Sequence, residues 1–113
     1  MQLPEFPHYA DTRSLIAGAA PDYPAFLFSQ GELRRSAATF QSGFDGLVTY
    51  AVKANPMDHI VAILADAGLK AFDVASPNEM ALVRRLAPHA AMHYNNPIKS
   101  RREIAAAWET VAL

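Results

Sequence analysis

Cysteine is missing from all 113 residues, which excludes a disulfide scaffold, a thiolate metal site and a cysteine nucleophile within them. A surplus of either charge sign is missing too. Ten Lys and Arg stand against eleven Asp and Glu, a formal net charge of -1. No Lys/Arg-rich tract breaks that balance, so nucleic acid and anionic membrane are not expected partners. Met1-Gln2-Leu3-Pro4-Glu5 has no basic region followed by an apolar run and does not read as a signal peptide. No stretch approaches the ~20 apolar residues of a membrane helix. Glycine is sparse, at positions 18, 31, 43, 46 and 68, with no phosphate-cradling cluster. What the chain has in quantity is apolar surface: 51% of side chains against 19% charged, ample for a packed core and too much for a disordered tail. The expectation is a soluble, cytoplasmic, globular chain of about one small domain.

Pro4, Pro7, Pro21 and Pro24 interrupt any long element in the first 24 residues, leaving room for one short helix from Asp11 to Ala20. Ala25-Phe26-Leu27-Phe28-Ser29 is a compact apolar run that predicts a buried strand. Ser29 and Glu32 stand in capping-box spacing ahead of a helix ending near Gly43. Leu47–Val52 predicts a second strand, rich in β-branched and aromatic residues. Asp58–Ala67 predicts a helix with Ile60, Val61, Ile63 and Leu64 on one face and Gly68 as its stop. Lys70–Val74 predicts a third strand. Ser76-Pro77-Asn78-Glu79 then combines a Ser cap, Pro at the first helical position and Glu at the third, opening a helix that stops before Pro88. Ala91–Tyr94 predicts a fourth strand, and Ser100 with Glu103 caps a last helix through Ile104 and Trp108 that could run to Leu113. Phe26, Phe28, Phe40, Phe44 and Trp108 are expected in the core.

Strands alternating with helices imply βαβ units and a parallel sheet. Four such units fit a small open sheet or the opening arc of a (β/α)₈ barrel. In either, ligands bind at the carboxyl ends of the strands, and polar residues stand there. The second strand runs into Lys53-Ala54-Asn55-Pro56; the third presents Asp73, Ser76 and Glu79; the fourth runs into Asn95-Asn96-Pro97-Ile98-Lys99. A lysine tucked at a strand end loses hydration, which favours the neutral amine that attacks carbonyls. The alternative is a Lys53 that extends from the strand end into water. No metal is expected: His89 and His93 are four apart, but Pro88 and a strand prevent helical facing, and zinc needs three or four ligands.

Tyr50-Ala51-Val52-Lys53-Ala54-Asn55-Pro56 resembles the lysine motif of the fold-type III, pyridoxal-phosphate-dependent enzymes, the alanine racemase-like barrels. Phe72-Asp73-Val74-Ala75-Ser76-Pro77-Asn78-Glu79 and Asn96-Pro97-Ile98-Lys99 are similar to stretches of the ornithine/diaminopimelate/arginine decarboxylase family, with order and spacing matching the ornithine decarboxylase branch best. Alanine racemases usually follow the lysine motif with a Tyr-Gly-His-Gly-like segment, where this chain has Pro56-Met57-Asp58-His59. Diaminopimelate decarboxylases usually have a Gly-rich, Val-Ser-like segment where this chain has Ala-Ser-Pro-Asn-Glu. The resemblance covers about residues 25–108.

The resemblance implies an α/β fold: a partial (β/α)₈ TIM barrel of the alanine racemase-like type. Its N-terminal segment and strand (1–29) would join a separate β-domain in the full protein, and residues 30–113 would form the opening βα units of the barrel. It implies decarboxylation of a basic amino acid, ornithine or lysine, to a diamine in polyamine biosynthesis, with pyridoxal 5'-phosphate as cofactor and a homodimer as the full-length form. Lys53 would bind the cofactor as a Schiff base and later return a proton to the decarboxylated carbon. Asp73 would lie close to that linkage, and Glu79 would be a second active-site acid unless its capping position is its whole purpose. Asn96-Pro97 would shape the loop after the fourth strand, while Asn95 reads as part of an ordinary turn. The family's ring-stacking imidazole, phosphate-binding loops, pyridine-contacting acid and catalytic Cys would all lie further along, so this stretch alone is expected to be inactive. The competing readings are a catalytically silent homologue acting as a binding or regulatory protein, and a small stand-alone ligand-binding domain.

Overall fold

The computed structural model describes residues 5–110, so the run of the last helix to Leu113 lies outside the described residues. Five helices and three strands follow in chain order: α1 (Thr12–Ala19), α2 (Gln30–Gly43), β1 (Thr49–Ala51), α3 (Asp58–Asp66), β2 (Ala71–Val74), α4 (Pro77–Leu86), β3 (Ala91–Tyr94) and α5 (Arg101–Thr110). Each helix start that the cap residues predict is present. The Asp11 carboxylate accepts from Ser14 N at 2.7 Å, and the Ser29, Ser76 and Ser100 hydroxyls accept from the amides of Glu32, Glu79 and Glu103. Each satisfies one of the amides that a helix start leaves open. α3 ends where Gly68 takes φ +91°, a backbone conformation that side chains with a Cβ rarely adopt.

The strands form one parallel sheet in the order β1-β2-β3, with Ala51, Asp73 and His93 level with one another across it. Sequential order with one helix between neighbours winds the chain in a single direction. Side chains alternate along each strand, so Phe72, Val74 and Met92 share one face, all but fully buried. They pack with Ile60, Val61 and Leu64 of α3 and Met80 and Val83 of α4, a cluster that reaches Ala37 of α2 and Ala107 of α5. Burying each of the larger side chains contributes roughly 1.5–3 kcal/mol. The opposite face carries Thr49, Ala51, Ala71, Asp73, Ala91 and His93, and none of these belongs to the helix-side cluster. Arg84 fastens α5 to α4, donating to Thr110 O at 2.7 Å and Pro88 O at 2.6 Å. Arg85 donates to both Asp58 oxygens, at 2.8 and 3.1 Å, which ties α4 to the start of α3.

Three expectations are corrected. Residues 25–29 form no strand: no described segment pairs with them, and Phe26 is fully exposed. An apolar run gains from a strand conformation only where a sheet edge receives it. Strand β1 is shorter than Leu47–Val52, because Val52–Ala54 tightens into a 3-10 turn that places Lys53 beyond the ladder. Phe26, Phe28, Phe40, Phe44 and Trp108 are exposed rather than core, with Trp108 at 71%. The helix-side cluster is filled by aliphatic residues, Phe72 and two methionines, and it leaves those rings outside. No helix among the described residues is long and apolar enough to cross a membrane.

Candidate functional site

The carboxyl ends of the three strands converge, and each delivers a polar side chain. Beyond β1 the 3-10 turn ends when Asn55 N donates to Val52 O at 3.2 Å. The Tyr50 hydroxyl donates to Asn55 O at 3.2 Å, and the Asn55 side chain accepts from Met57 N at 3.2 Å. Burial pushes the Tyr50 phenol above its ordinary pKa. These bonds brace the turn on which Lys53 sits. Its side chain is exposed rather than tucked into the strand end, and among the described residues its amine has no hydrogen bond or ion pair.

Asp73 lies on the face of β2 opposite Phe72, half-buried, with Ala51 level with it on β1. Lys53 therefore leaves the sheet two residues past the register partner of Asp73. The two do not pair as ions. Instead Asp73 Oδ1 accepts from Asn95 Nδ2 at 2.7 Å, across from the end of β3. Asn96 Nδ2 donates to Ala75 O at 3.2 Å and to Ile98 O at 2.9 Å, so the loop after β3 is held to the exit of β2. Glu79 completes the cap of α4: its Oε2 accepts from Ala75 N at 2.7 Å while its own amide donates to Ser76 Oγ. The carboxylate so engaged is half-buried and stands at the mouth of β2.

Lys53, Asp73 and Glu79 thus share one end of the sheet with Asn95, whose sequence context predicts an ordinary turn. Period-two alternation puts Asn95 on the same face as His93, but that His93 is level with Asp73 follows only from the strand register in the structure. At the same rim, Lys99 Nζ lies 4.9 Å from the centre of the Tyr94 ring. The Tyr94 hydroxyl is buried without a hydrogen-bond partner among the described residues. No group of three or more His, Cys, Asp or Glu among these residues is placed to hold a metal.

An exposed, unpaired amine at the end of a parallel strand, with an anchored carboxylate on the adjacent strand, is suited to holding a carbonyl compound. The family model described as "Pyridoxal-dependent decarboxylase, pyridoxal binding domain" matches residues 30–111, from the first residue of α2 onward. The chain belongs to this pyridoxal-dependent decarboxylase family. A lysine/ornithine decarboxylase of Selenomonas ruminantium is 44% identical over 61 residues, which make up 53% of this chain and 15% of that relative. The chain thus matches only a small part of that enzyme's length. No solved structure gives a significant match. The donor set fits the aldehyde end of a pyridoxal cofactor: a free amine at Lys53 and a carboxylate at Asp73. None of the glycines lies at the carboxyl ends of the strands.

Proposed function

We propose that this stretch is the lysine-bearing part of a pyridoxal-phosphate-dependent decarboxylase acting on a basic amino acid, lysine or ornithine, and releasing a diamine. The observation that carries the proposal is the free Lys53 amine at the carboxyl end of β1, within a chain of the pyridoxal-binding family. The substrate class follows that of the 44% identical relative, a lysine/ornithine decarboxylase.

When bound, pyridoxal phosphate supplies an electron-withdrawing ring that takes up the electron pair left as carbon dioxide departs. The chain's own residues act around that step. Lys53 Nζ would hold the cofactor through its aldehyde carbon and, once the substrate's amine had replaced it there, would be free to carry a proton. The Asp73 carboxylate stands at the same end of the sheet, where it would favour cationic nitrogen. Asn55 and Tyr50 hold the turn that sets the Lys53 backbone. Glu79 remains a second acid at the β2 exit, with Oε2 already engaged by Ala75.

The single-direction winding and the sheet face turned away from the helix-side cluster suit the opening arc of a (β/α)₈ barrel, whose interior that face would line. The exposed run 25–29 suits a strand that pairs with a separate β-domain. A homodimer, a role in polyamine biosynthesis and a cytoplasmic location belong to the same proposal.

The test is to supply the full-length protein with pyridoxal phosphate and isotope-labelled lysine, ornithine, arginine or diaminopimelate, and to measure released carbon dioxide. Turnover of lysine or ornithine is expected. Turnover confined to arginine or diaminopimelate would overturn the substrate assignment, and no release from any of them would overturn the activity.

A further inference from the structure

We propose that Asn95 is a positioning residue that orients the Asp73 carboxylate while leaving its charge intact; this rests on the function proposed above. Asn95 Nδ2 donates to Asp73 Oδ1 at 2.7 Å, and among the described residues no other donor reaches that carboxylate. The fold does not require the bond. Asp73 is half-buried and Asn95 exposed, so water would satisfy both groups equally well.

The neighbouring backbone is nevertheless arranged to keep the contact. Asn96 is fastened to Ala75 O and Ile98 O, and Pro97 restricts the Asn96 backbone to extended conformations. The residue just before this anchored pair, Asn95, is held level with the end of β2. It lies on the same face as His93 and Asp73, because side chains alternate along β3. The donor type matters as much as its place. A lysine or arginine there would neutralise Asp73, whereas an amide fixes one carboxylate oxygen and leaves the full negative charge for a cationic nitrogen. The second oxygen is free to meet it.

The experiment compares the full-length, pyridoxal-phosphate-loaded protein with its Asn95→Ala and Asn95→Asp variants. It reads the visible absorption band of the bound cofactor, kcat and KM for the preferred amino acid, and Tm. Asn95→Ala should perturb the band and lower kcat by roughly tenfold to a hundredfold, the scale on which a small misplacement acts. KM and Tm should stay close to the wild-type values. Asn95→Asp keeps the shape but sets a second negative charge against Asp73, so its kcat should fall further. An unchanged band and kcat in both variants, with an active parent, would overturn the inference and leave the proposed function standing. A lowered Tm with kcat unaltered would assign the bond to stability and overturn it equally. A parent protein that takes up no pyridoxal phosphate would remove the proposed function, and this inference with it.

Discussion

At the scale of single residues, Lys53 and Asp73 stand at the carboxyl ends of neighbouring strands, and Asn95 donates to the Asp73 carboxylate. Replacing Asp73 by Asn keeps the shape and the hydrogen-bonding capacity while removing the charge. That variant should lose about a hundredfold or more in kcat, as when a positioned charged group is removed from an active site. Steady-state kinetics of the full-length protein would check it. A different carboxylate governs behaviour in acid. The hydrogen bonds from Arg85 hold the Asp58 carboxyl below its ordinary pKa of 3.8, and the guanidinium charge adds to the effect. A folded-state pKa below the unfolded one contributes stability that is fully present above the ordinary value and is lost as pH falls through the lowered one. Asp58→Asn should therefore be less stable than the parent at neutral pH, with the difference shrinking below about pH 4. Urea unfolding at pH 7 and in acid would measure this.

At the scale of elements, the helices were legible because their signals are local. A serine followed three residues later by glutamate meets its bonding partner within one turn, whatever the rest of the chain does, and Ser29, Ser76 and Ser100 all cap as expected. Ser76→Ala should lower the stability of the fold by about 1 kcal/mol. Gly68→Ala should cost roughly 1–2 kcal/mol, because φ +91° admits a Cβ only with strain. Thermal or urea unfolding would check both. Strands are less legible, because a strand is defined by its neighbour. The run 25–29 has strand-like composition and no partner among the described residues, whereas 71–74 and 91–94 have the same kind of composition and each other. The turn at Val52–Ala54 was hidden for a related reason. Apolar Val52 reads as strand, yet it is buried as the first residue of the 3-10 turn that ends β1. The site was legible as far as Lys53, Asp73 and Glu79 reaching one end. The Asn95–Asp73 bond was not, since it depends on the register between two strands 22 residues apart.

At the scale of the whole molecule, the chain exposes more than its length requires. Its accessible surface is 8274 Å², against roughly 6,100 Å² for a compact monomer of this mass. The radius of gyration is 16.7 Å, against about 13 Å for a compact domain of this length. The exposed rings of Phe26, Phe40 and Trp108 account for part of the excess. The outer sides of β1 and β3 have no strand beside them among the described residues, and unpaired edges of this kind invite association. The isolated 113-residue chain should accordingly self-associate as its concentration rises, which sedimentation velocity would show; a strictly monomeric chain would contradict this. The central claim concerns Lys53, and one measurement reaches it most directly. The full-length protein is incubated with pyridoxal phosphate, reduced with borohydride, digested and mapped by mass spectrometry. The account predicts a pyridoxyl adduct on Lys53 that disappears in Lys53→Ala. An adduct confined to other lysines, or none at all, would contradict it.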